Sequence, residues 1–469
     1  MRLCSCLLVV ILLFSNPALA QEESTSSNTA SGDSAAVSEV SEVARLSLLV
    51  LRKEIELQRF NIGYRLTVAK QGRWKGLRYF LSQETNAALS LSGGIIGINE
   101  RFKNFESVNK INVRNLETGN ILSIAGQTVG AAGSGLEFAI NTHHHLQARK
   151  KGYSTKTANS YVRRLKAEID ALLQKRASAA KSLEGRVSAQ QTAIFTAEGR
   201  VLDDIRDLAL AEYVQFMSGQ TSYLGFQQAL YLLDITRNTT GALGNLFAYI
   251  SNVQADPTLN TEAGILFTTN GALTVATPYL SRAIGYAVRK LKKHSVKDIA
   301  DKTVDADVQQ LCRDIDILQD LCKNSTLKTV NAVYRAALYD SHGNQFLKQL
   351  ALSTRETNAR NYAAVENVTA GTAIGATKLA AGVEFIVAGV RYSDSKRRTN
   401  VLISTAGTAS LVGTSISLLD NIRIQLKTER NNRRLAGKRQ LPSQVLNDRM
   451  QHLEELDRQI VSLLSNSTN

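Results

Sequence analysis

The stretch 361–390, NYAAVENVTAGTAIGATKLAAGVEFIVAGV, decides the fold. It contains no proline and is rich in Gly, Ala and Thr, with Gly371 and Gly375 one helical turn apart. Small residues at that spacing give a helix a smooth face, and a second backbone can lie close against it. The stretch 399–419, TNVLISTAGTASLVGTSISLL, follows after a short charged interruption. The two predict a helical hairpin closed on small side chains.

Two more such pairs lie upstream. The first joins 85–99 (TNAALSLSGGIIGIN) to 120–136 (NILSIAGQTVGAAGSGL), and the second joins 238–255 (NTTGALGNLFAYISNVQA) to 263–281 (AGILFTTNGALTVATPYLS). Gly126, Gly130, Gly271, Gly371, Gly375 and Gly407 are the expected helix-packing positions. Each pair ends in a basic segment: Arg149, Lys150 and Lys151; then Arg289, Lys290, Lys292 and Lys293; then Arg430, Arg433 and Arg434. Those cations are the expected contacts to an anionic surface.

Amphipathic helices separate the pairs. Leu165, Ile169 and Leu172 begin one stripe, and Leu183 to Leu208 roughly continue it, so 155–217 reads as one long helix or two, with Gly185 and Gly199 as weak points. Leu446, Met450, Leu453, Leu456, Ile460 and Leu463 form a heptad seam near the C-terminus. That seam suits a partner helix or a neighbour in the same chain. With four prolines in 469 residues and little period-two alternation, the fold class is all-α. The hairpins are expected to stack with long amphipathic helices in three related units: 39–217, 218–325 and 326–469.

Ahead of these units, residues 1–20 have the parts of a secretory signal. Arg2 is the positive end, Leu7 to Phe14 the apolar core, and Ala18-Leu19-Ala20 the cleavage site. Residues 21–38 are small and polar and read as a disordered linker. Cleavage leaves Cys312 and Cys322. Ten residues apart on one helix they are about 15 Å apart, too far to bond. The expected location is the cell envelope or the secreted space.

Catalytic and cofactor patterns are rejected one by one. His143, His144 and His145 diverge by about 100° each on a helix and do not converge on one ion. The run 371–379, GTAIGATKL, lacks the Gly-Lys-Ser/Thr order of a phosphate loop. Gly133-Ser134-Gly135 lacks the third glycine of a dinucleotide fingerprint. Asp203, Asp204 and Asp207, and Asp314, Asp316 and Asp320, read as solvated helix faces paired with Arg206 and Arg313. Arg73, Trp74, Lys75, Arg78 and Tyr79 read as a helix end joining the core rather than a membrane-interface anchor. No cofactor, metal, substrate or nucleic acid is expected. The net charge of +15 favours anionic lipid or an envelope polymer.

Two functions compete. In the favoured one the hairpins are the core of a non-enzymatic structural or interaction protein. In the other they insert into a membrane, a plan that loosely resembles that of helical pore-forming toxins, on architecture alone and with no shared motif. An envelope hydrolase is a weaker third. Three features weigh against ordinary membrane spans. Lys378 and Glu384 sit within the third pair and Glu137 at the end of the first, and a charge at the bilayer centre costs about 2.5–3.5 kcal/mol. Thr, Ser and Asn are frequent. An exported N-terminus would also leave the basic flanks outside.

Overall fold

In a computed structural model of the chain the described residues are 30–68, 75–299, 307–323 and 330–466. All regular structure among them is helical: α1 (Ala30–Val68), α2 (Lys75–Lys103), α3 (Val113–Lys150), α4 (Thr155–Ser182), α5 (Ala189–Gln254), α6 (Leu259–Ser295), α7 (Val308–Lys323), α8 (Val330–Arg391), α9 (Lys396–Gly437) and α10 (Pro442–Asn466), with one 3-10 turn at Val108–Lys110. The signal segment 1–20 and the sequence around Arg73 and Trp74 lie outside the described residues. The helix α1 begins inside the expected linker 21–38, because extending a nucleated helix costs little per added residue.

Two bundles are stacked end to end. The base consists of α1, α4, the first half of α5, α7, the first half of α8, and α10. Its core is conventional: Leu51, Ile55, Leu57, Leu165, Ile169, Val201, Ile205, Leu311, Ile315, Tyr339, Leu453 and Ile460 are all buried together. The heptad seam of α10 is spent here, with Leu453, Leu456 and Ile460 buried and Leu446, Met450 and Leu463 packed at the margin.

The other bundle is a closed ring. In order, α2, α3, the second half of α5, α6, the second half of α8, and α9 each pack on the two helices beside them, and α9 returns to α2. Successive ring helices run antiparallel, so the turns at 104–112, 255–258 and 392–395 share the end away from the base. At about 1.5 Å per residue, α5 is roughly 100 Å long and α8 roughly 90 Å, and both run through base and ring.

Local chemistry sets the breaks. Ser154 and Ser188 cap α4 and α5 by accepting the Thr157 and Gln191 amides. The 155–217 stretch divides at Gly185, whose φ of +77° suits glycine, whereas Gly199 stays inside α5. The expected unit boundary at 217/218 falls within α5, where Gly219 stays helical. Cys312 and Cys322 stand free on the single helix α7.

The two acidic clusters divide. Arg206 pairs with Asp203 and Asp207 at 3.6 and 2.9 Å, while Asp316 and Asp320 are exposed. Asp204 and Asp314 instead turn inward and face each other between α5 and α7. Burial and the facing Asp314 carboxyl push Asp204 up to about 7.

Other charges are buried in the base too. Glu198 receives Arg176 at 3.1 Å, Arg335 at 2.7 Å and the Tyr339 hydroxyl at 2.9 Å. Burial raises its carboxyl, but the two guanidiniums and the Tyr339 hydroxyl outweigh burial and hold it at about 2.

Candidate functional site

The ring reverses the usual distribution of side chains. Most of its buried positions are small or polar, Gly93, Gly119, Ser123, Gly126, Gly130, Ser134, Asn238, Gly241, Asn270, Gly271, Thr274, Gly382 and Ser404 among them, beside a few large residues such as Leu116, Ile374 and Ile403. Many of its large apolar side chains face outward, including Leu81, Ile95, Ile121, Leu136, Leu243, Leu246, Ile265, Val383, Val412, Ile416 and Leu419. Neither apolar core cluster contains a ring residue.

Close backbone approach makes the ring possible. A Cβ on Gly126 would lie 2.8 Å from the Asn86 carbonyl oxygen, and one on Gly130 2.6 Å from Asn86 Nδ2. Gly271 lies against the Leu379 amide (2.6 Å), Gly375 against the Val275 amide (2.8 Å), Gly371 against Pro278 (3.1 Å) and Gly407 against Ile98 (2.8 Å). Real Cβ atoms do not sit this close below 3.0 Å, so glycine sets the helix spacing at nearly every one of these positions.

The ring encloses a cavity of about 150 Å³ lined from all six helices. At the end away from the base, the Arg101 guanidinium donates to Asn400 Oδ1 (3.1 Å) and Asn252 Oδ1 (3.2 Å), linking α2, α9 and α5 across the opening. The middle is walled by Gly93, Gly94, Gly97, Gly119 and Gly407, and by Phe267 and Phe385, whose rings meet edge to face at 5.1 Å. Deeper lie Gln127, Asn270 and Lys378. Asn270 donates to the Arg237 carbonyl at 2.5 Å.

Below them a paired layer closes the cavity toward the base. Asp234 accepts from the Tyr79 hydroxyl and pairs with Arg237 at 3.1 Å. Arg78 meets Glu137 at 2.9 Å, and Asn86 donates to Asn238 at 3.3 Å. The acids near the lumen are thus matched by arginine or tyrosine. Arg101 and Lys378 are charged lining residues, and none of the lining residues is an Asp or Glu.

The sequence-predicted cations take other places. Arg149, Lys150 and Lys151 end α3, Arg289, Lys290, Lys292 and Lys293 end α6, and Arg430, Arg433 and Arg434 lie in the last turns of α9. These are the base-side ends of three ring helices, and all but half-buried Lys292 are exposed. His143 and His144 are exposed on α3 near the same end, where His143 meets Gln147.

Arg101, Asn252, Asn270, Gln127 and Asn400 were not singled out by sequence. Lys378 was, as an obstacle to insertion and within the rejected phosphate-loop run 371–379. A lone charge inside a charge-poor helix was the available signal for it.

Fold and site define an all-α protein in which a ring of helices closed on small and polar residues, around a cavity of mixed polar and apolar lining, stands on an ordinary apolar-core bundle. Comparison with protein-family models, with curated proteins and with solved structures finds no match.

Proposed function

We propose that the six-helix ring is a membrane-embedded module and that the base is the part that stays in water. The outer belt carries this reading: its fully exposed positions are uncharged, and the charges within it, among them Glu84, Glu117, Arg282 and Asp420, are half-buried. Along 79–101, 115–142, 222–254, 263–288, 368–390 and 399–422, none of the described exposed residues is charged. The shortest of these segments rise about 35 Å, against a hydrocarbon core of about 30 Å. By length and composition, Val368–Arg391 is apolar enough to cross a membrane, with a mean hydropathy of 1.6.

Two objections raised by the sequence meet physical answers. Of the hairpin charges, Glu137 is buried, Lys378 lines the cavity and Glu384 is half-buried. The frequent hydroxyls do not need water: outward Ser92, Thr118, Thr128, Thr236, Thr269, Thr372 and Thr405 each donate to the carbonyl four residues earlier on their own helix. That back-bonding satisfies a hydroxyl in lipid.

The third objection, the basic flanks, becomes a docking feature. Cations at the ends of α3, α6 and α9 form a collar where ring meets base, suited to anionic headgroups at about 1 kcal/mol per cation near the surface. An exported chain would then enter a membrane ring-first, with the collar on the side of entry.

Flotation with liposomes of neutral lipid and of neutral lipid plus phosphatidylglycerol tests this. The chain should float with the anionic liposomes at low and at high salt once inserted, and protease should remove the base while sparing ring peptides. Recovery of all protein in the unbound fraction, or release by high salt alone, would refute membrane embedding.

A further inference from the structure

The lumen holds a lysine amine without a hydrogen-bond or ion-pair partner among the described residues. Lys378 is enclosed among the ring helices and lines the cavity. Among the described residues its ammonium makes no hydrogen bond or ion pair, and the nearby acid Asp234 is already engaged by Arg237 and Tyr79. Removing an ammonium from water without a counter-charge costs several kcal/mol.

Other orphaned groups gather at the same level. A Cβ on Gly241 would touch both Gln127 and Asn270, and one on Gly271 would touch the Lys378 backbone, which places these side chains in one layer of the ring. Gln127 Oε1 and Arg237 Nε, both buried, lack partners. A side-chain amide turned by 180° offers its N–H₂ in place of its oxygen. Lys378 and Gln127 are thus two lining residues, an amine and a side-chain amide able to donate, at one level of the cavity.

Charge decides the sign of the ligand. Arg101 and Lys378 line the cavity from opposite ends, roughly 20 Å apart along the helices, with no lining carboxylate between them. Size decides its class. A cavity of about 150 Å³ admits a few atoms and their water rather than a nucleotide or a lipid headgroup with its chains.

We infer that the lumen is a binding site for a small monovalent anion, a halide or short carboxylate, with Lys378 as its counter-charge and Gln127 as a hydrogen-bond donor. Arg101, tied to Asn252 and Asn400, stands at the outer opening as a second cationic station. The inference stands on the lumen alone and holds whether the ring lies in lipid, in detergent or in water.

The test uses the full chain and two anions, chloride and formate, against gluconate, which is too large for the cavity. Broadening of the chloride NMR line is titrated at constant ionic strength, and formate is added as competitor. Surface cations give a linear background that is the same in every variant. The expected result is a saturable component displaced by formate and untouched by gluconate, lost in Lys378→Met and kept in Lys378→Arg.

No saturable component in the parent chain overturns the inference, as does an unchanged one in Lys378→Met. Should Lys378→Met lose its helical circular dichroism, Gln127→Leu takes its place. There the chloride midpoint should rise about tenfold, the worth of one hydrogen bond to a charge. An unchanged midpoint overturns the inference.

Discussion

At the scale of single residues, the base gets its specificity from buried charge. Glu198 is the hub, because Arg176, Arg335 and Tyr339 come from α4 and α8 to one carboxylate on α5. Replacing it with Gln leaves two guanidiniums facing each other without a counter-ion. Glu198→Gln should cost about 3–5 kcal/mol in urea unfolding, the usual result of removing one side of a buried pair.

Asp204 gives the opposite sign. Its folded value of about 7 lies above the 3.8 of an ordinary aspartate, so it contributes stability in full below pH 3.8 and loses it as the pH rises through 7. Asp204→Asn should therefore match the parent at pH 4 and exceed it at pH 8. After allowance for solvent screening at this half-buried carboxyl, the gain is on the order of 1–2 kcal/mol. Unfolding midpoints of both chains from pH 4 to 8 measure it; an equal offset at every pH would exclude titration as the cause.

At the scale of elements, glycine sets how closely the ring helices approach. A Cβ on Gly382 would lie 2.8 Å from Thr268 Cα, and backbone cannot give way as a flexible side-chain end can. Gly382→Ala should push α6 from α8 and destabilise by about 1–3 kcal/mol. Gly97 meets nothing within 4 Å, and Gly97→Ala should gain up to about 1 kcal/mol from helix propensity. Thermal unfolding followed by circular dichroism compares the two. Both residues are glycines in Gly/Ala-rich stretches, and sequence does not separate them. Only the position of the neighbouring helix does.

At the scale of the molecule, the two bundles differ in which side chains face out. Leucine and isoleucine close the base, while Gly, Ser and Asn close the ring. The consequence is asymmetric sensitivity to charge. Ile265→Arg, on the outer belt, should lower flotation with anionic liposomes at least tenfold, since an arginine at depth costs about 2.5–3.5 kcal/mol. Val461→Arg, equally a surface change but on α10 of the base, should leave flotation unchanged.

Much of this was legible in the chain itself. The all-α class follows from composition and from helical periodicity, because backbone hydrogen bonding in a helix is local and propensity sums along the segment. The three pairs of small-residue stretches and their basic flanks are local patterns too, and so is the separation of Cys312 from Cys322 on one helix. The hairpins read as an ordinary core because a small-residue face packs equally well in water or in lipid. What decides between those settings is the face left over, and that is a property of six helices at once. Closing α2, α3, α5, α6, α8 and α9 into a ring turned Lys378 and Arg101 inward and Ile265 and Leu243 outward. Only the tertiary structure could make that choice, because residues far apart in the chain define the inside of a ring and no local pattern records it.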